Sequence, residues 1–170
     1  MVSALVSAVL AWLHILSAIG WMGSAMFLAM VLGPSTKELP PPSRRDLVLR
    51  LFPRFIRYVT GFATLTLVFG VLLGVVLVSD GVDVLSPSSA WGLRIMIGAS
   101  LALVAYASAL GLGLRSARKI LGLLEKPRQD QQEAQALEMA KLTRRLRLGA
   151  ATVTLLLSVS LIFMVAAARL

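Results

Sequence analysis

Cysteine is absent from this chain. Disulfides, thiolate metal centres and cysteine nucleophiles are therefore excluded. Histidine occurs once, at His14, which removes every site that needs two imidazoles. Acidic residues are scarce, 8 against 17 Lys and Arg, and no carboxylate pair falls within an apolar segment. With no Ser/His/Asp set, no phosphate-binding glycine loop and no zinc spacing, the common hydrolytic and phosphoryl-transfer sites are missing. Charge of either sign is sparse: 15% of the 170 residues, against 58% hydrophobic. The mean hydropathy of +0.85 lies outside the range of soluble globular domains. One membrane domain is the expectation, and the net charge of +9 points to anionic lipid head groups rather than nucleic acid.

Crossing the hydrocarbon core takes about 20 apolar residues, and four segments reach that length. They are predicted over residues 2–32, 56–79, 91–115 and 147–168, with polar loops at 33–55 and 116–146. Lipid cannot satisfy backbone groups, so each segment is expected to be helical. The fold class expected is all-α, a polytopic membrane four-helix bundle. The first apolar run extends from Met1 to Thr36 with no basic residue ahead of it. That is much longer than a signal h-region of roughly 7–15 residues, so it reads as a retained helix. Lys37, Arg44, Arg45, Arg50, Arg54 and Arg57 flank the first loop, and nine Lys and Arg from Arg115 to Arg147 flank the third. Arg94 and Arg169 alone mark the other side. This asymmetry predicts both basic loops in the cytoplasm and an N-out/C-out, multi-pass protein of the plasma (inner) membrane.

Gly33-Pro34 is expected to end the first helix, and Pro40-Pro41-Pro42 to form a stiff extended connector. Ser43 reads as a helix N-cap, with Asp46 three residues on. Arg44 to Arg57 alternates Arg with large apolar residues, as an interfacial lead-in to the second span would. A solvated helix around residues 131–146 is expected to run into the fourth span. Gly70 and Gly74 form a GxxxG pair that permits helix contact and self-association, and Thr154 and Ser158 offer hydroxyls to neighbouring helices or to their own carbonyls.

Two polar residues sit within the apolar spans, His14 and Arg94. Counting about 20 residues back from the basic ends of their helices places both near the outer edge of the hydrocarbon core. Trp12 and Trp91 lie at the same level, where indoles favour the interface. Ser7, Ala11, Ser17, Ala18 and Trp21 cluster around His14 at 100° per residue, a mostly small face that admits a neighbour or a flat ligand. An ionisable residue on such a face is either a functional site or a neutral imidazole bonded to the next helix. Arg94 either snorkels to head groups and pairs with Asp80 or Asp83, or anchors an anion such as a porphyrin propionate. Met22, Met26 and Met30 recur at helical spacing, as packing or as a thioether ladder for copper.

Trp12-Leu13-His14 followed by Trp21-Met22-Gly23 resembles the first-helix pattern of the copper-resistance protein D family. It also resembles membrane protoporphyrinogen oxidases of the HemJ type. Ser86-Pro87 through Trp91-Gly92-Leu93-Arg94 is similar to the start of the third helix in those families. The resemblance implies haem b bound by His14 as metal ligand, with Arg94, where a lysine is usual, holding propionates. Trp21 and Ser17 would complete the cofactor site between the first and third spans. If the chain is an enzyme, the resemblance implies a membrane oxidoreductase acting on a porphyrin. Two positions depart from the oxidase pattern: Leu32-Gly33-Pro34-Ser35 replaces a Pro-Arg and a further histidine, and Arg94 replaces the lysine. The other expectations are a copper-handling transporter component and a non-catalytic accessory subunit of a larger membrane complex.

Overall fold

The computed structural model describes residues 2–84, 86–125 and 132–167, and all of its regular elements are helices. Four helical rods of 35–39 residues are long and apolar enough to cross a membrane. The first rod comprises α1 (Val2–Phe27), a π-helical segment (Leu28–Leu32) and α2 (Gly33–Glu38). The second is α3 (Pro41–Ser79). The third comprises α4 (Ala90–Ser108), a second π-helical segment (Ala109–Leu114) and α5 (Arg115–Glu125), and the fourth is α6 (Gln132–Ala167). At 1.5 Å per residue such rods exceed a hydrocarbon core of about 30 Å by roughly 20–30 Å. Apart from Arg94, the Lys and Arg of the rods lie at one common end, so the excess projects as a basic extension from that end.

The rods pack in the order α3, α1, α6, α4, with α1 lying along α3 and α6 along α4. Glycines create the close crossing of α1 and α3. A Cβ at Gly20 would stand 2.5 Å from the Phe62 ring, and one at Gly70 would stand 3.0 Å from the His14 ring. Each helix therefore receives a ring of the other against bare backbone. Gly74 meets nothing among the described residues, so there the GxxxG pair makes only half of an intrachain contact.

Between α4 and α6 the contact is polar at its centre. The Ser160 hydroxyl, buried, donates to the Gly98 carbonyl at 2.8 Å. By contrast Thr154 and Ser158 bond back to their own helix, at Ala150 and Thr154 carbonyls. Ser160→Ala is expected to cost about 1 kcal/mol in a reversible detergent-unfolding titration, whereas Ser158→Ala is expected to change little. Equal losses would count against the interhelical bond.

Gly33-Pro34 does not end the first helix. The Gly33 N–H bonds the Leu28 carbonyl five residues back, so the π turn re-registers the hydrogen-bond ladder and Pro34 falls in the first turn of α2. There a missing N–H costs little. A Cβ at Gly33 would lie 2.8 Å from that carbonyl, which explains the glycine. The triple proline is likewise not an extended connector. Pro40 alone is extended (φ −54°, ψ 148°) and α3 begins at Pro41, so Ser43 lies inside the first turn rather than at the cap. Proline's fixed φ is preset for that position. The 116–146 loop is mostly helix, as α5 and the start of α6; the 131–146 helix is seen from Gln132, while Gln131 lies outside the described residues.

The basic extension is tied at its helix ends. Arg44 Nη2 donates to the Lys37 and Leu39 carbonyls at 2.7 and 3.1 Å. Arg45 donates to the Leu124 carbonyl through Nε and Nη2 (3.2 and 2.9 Å), and the Gln135 amide donates to that of Leu123. These are the orphan carbonyls that terminate a helix.

Candidate functional site

His14 occupies the α1–α3 crossing. Its Nδ1 lies 2.8 Å from the Thr66 carbonyl oxygen. A carbonyl only accepts, so Nδ1 carries the proton and, in the neutral ring, Nε2 carries the lone pair. Gly70 lies one turn beyond Thr66, and its missing side chain lets the imidazole reach that carbonyl. Nε2 is neither hydrogen-bonded nor enclosed among the described residues. Metal-binding histidines are commonly held this way, one nitrogen fixed by a backbone carbonyl and the other free.

Trp21, two turns along, is 0% exposed and sits where the spans converge. It meets Tyr106 of α4 edge to face, with ring centroids 6.2 Å apart and planes at 87°. Ala25, Ala63, Ala105, Val153 and Leu157 complete this core, which draws on all four rods. The indole N–H is the one buried side-chain nitrogen or oxygen without a partner among the described residues. Below it lies an apolar cavity of about 80 Å³, bounded by Trp21, Phe52, Val59, Gly113 and Val153. Ser17 is buried on the same face of α1 and donates to the Leu13 carbonyl at 2.7 Å. Its hydroxyl proton is thus used within its own helix.

Arg94 belongs to the other helix pair. Its Nη1 donates to the Ala166 carbonyl at 2.9 Å, capping the end of α6. It pairs with neither Asp80 nor Asp83 among the described residues. His14 and Arg94 lie toward the same end of the bundle, but they bond to α3 and α6 respectively. The first span packs on the second and fourth, and it reaches the third through Trp21 and Tyr106. Trp12 is 75% exposed, as an interfacial indole should be. Met22 packs against the core and Met30 is 67% exposed, so the methionine row does not converge on one point.

Thr66 and Tyr106 are the residues that sequence reasoning passed over. Tyr106 pairs its hydroxyl with Thr64 Oγ1 at 3.1 Å, joining α3 to α4. A tyrosine in mid-span is a signal that could have been used, since its hydroxyl needs a partner in lipid. Thr66 contributes only backbone to His14, which no side-chain pattern announces. No family model, curated protein or solved structure matches this chain.

Proposed function

We propose that this chain is a haem-b-binding integral membrane protein with an electron-transfer or porphyrin-oxidising role, His14 being the axial ligand. The observation that carries the reading is the Nδ1–H bond from His14 to the Thr66 carbonyl, which presents Nε2 as an oriented lone-pair donor in an apolar setting. A bound haem would supply one-electron redox chemistry at its iron. The protein's part is to orient the imidazole through Thr66 and Gly70 and to keep the surroundings apolar. Arg94, with one N–H committed to Ala166, retains further donors for an anionic group at that end.

Donor count favours haem over copper. A porphyrin brings four nitrogen ligands and asks one of the protein. A copper site asks for several, and no group of three His, Cys, Asp or Glu is found among the described residues. In the cell, the basic extension would face the cytoplasm of a plasma (inner) membrane protein.

The test is the visible spectrum of detergent-purified protein from haem-sufficient cells. A Soret band is expected in the wild type and its loss in His14→Ala, with helicity unchanged by circular dichroism. Colourless wild-type protein would sink the reading. If such protein co-purified with a larger complex, an accessory subunit would be the better description.

A further inference from the structure

The basic extension contains a cleft whose chemistry the haem reading does not use. Its volume is about 260 Å³, more than ten times the roughly 10–15 Å³ that seats one water. The floor is apolar, built from Leu28 and Leu32 of the first rod, Phe52 of the second and Leu146 of the fourth. Lys37, Arg44, Arg45 and Arg147 stand around it. Arg44 and Arg45 are directed at backbone carbonyls, which fix their positions without neutralising their charge. Among the described residues none of the four cations is paired with a carboxylate.

The floor and the rim belong to different depths. Leu28 and Leu32 end the first apolar run, while Lys37 and Arg44 follow it in the charged zone. The cleft thus crosses the boundary between hydrocarbon and head groups. Its occupant must carry an apolar chain on one side and a negative charge on the other. A free phosphate meets only the rim, and a lipid without net charge meets the floor but brings no net negative charge to the rim.

We infer that this cleft is a binding site for one anionic phospholipid, with an acyl chain on the Leu28–Leu32–Phe52–Leu146 floor and its phosphate among Lys37, Arg44, Arg45 and Arg147. The site is independent of His14 and stands whether or not haem is bound.

Native mass spectrometry of the full-length protein in detergent tests it, with dioleoylphosphatidylglycerol, dioleoylphosphatidylcholine and chainless glycerol 3-phosphate as probes. One phosphatidylglycerol per chain is expected, retained at least about tenfold over phosphatidylcholine, since each basic side chain beside a net-anionic head group strengthens binding about fivefold and the choline ammonium offsets that gain. Lys37→Glu with Arg147→Glu should abolish that preference, and the milder Lys37→Gln with Arg147→Gln should reduce it about tenfold or more. The control Arg118→Glu with Lys119→Glu changes the same net charge on exposed positions of α5 outside the cleft. It should leave retention unchanged. Should the glutamate pair fail to fold, the glutamine pair decides. Equal retention of the two lipids, equal binding of glycerol 3-phosphate, or an equal loss in the control would each overturn the site.

Discussion

Trp21→Ala is expected to destabilise the bundle by about 3 kcal/mol, the low end of the range for emptying a large aromatic from a core. Trp21 is 0% exposed and belongs to a core cluster drawn from every rod, and its removal would enlarge the 80 Å³ cavity that it lines. The low end applies because helices unfolded in lipid or detergent do not regain water, and lost packing contacts make up most of the cost. Unfolding monitored by circular dichroism in a sodium dodecyl sulfate titration reads the change. Trp21→Phe provides the internal comparison. It keeps most of the ring volume and removes the indole N–H that has no partner among the described residues, so a small change of either sign is expected. A loss as large as that of Trp21→Ala would mean that the N–H is satisfied by something that packing alone does not reveal.

Gly70→Val is expected to displace His14. A Cβ at this position would stand 3.0 Å from both Cε1 and Nδ1 of the imidazole, and the branched side chain adds two further carbons. The ring must then leave the Thr66 carbonyl or the helices must separate, at a cost of about 1–3 kcal/mol. With haem bound through His14, the Soret band should shift or weaken, because Nε2 would no longer be held in place. Gly74→Val is the matched control on the same helix, since a Cβ there meets nothing among the described residues. An unchanged spectrum in Gly70→Val would remove the role given to the His14–Thr66 bond. A change in oligomeric state in Gly74→Val alone would identify the outer half of the GxxxG pair as a surface between copies.

The behaviour of Pro34 shows how a strong local signal is overridden. Proline after glycine predicts a helix end because proline lacks an N–H and crowds the preceding turn. In the structure one π turn absorbs both problems, and the rod continues to Glu38. The second π segment, Ala109–Leu114, contains Gly111 and Gly113. Neither π turn is legible from hydropathy, because it changes hydrogen-bond register without changing composition.

Composition and charge placement determined by themselves that this chain forms four apolar helices, because lipid leaves the backbone no other way to satisfy its hydrogen bonds over such lengths. Counting residues along each helix also gave the expectation that His14 and Arg94 share a depth near the outer edge. The tertiary structure decided what those residues face. His14 turns to the Thr66 carbonyl of α3 and Arg94 to the Ala166 carbonyl of α6, rather than both to one gap between the first and third spans. Helical periodicity defines a face, but which neighbour covers it depends on close approach, here on Gly20 and Gly70 admitting Phe62 and His14. Backbone carbonyls as partners carry no side-chain signature, so only the packed bundle could reveal them.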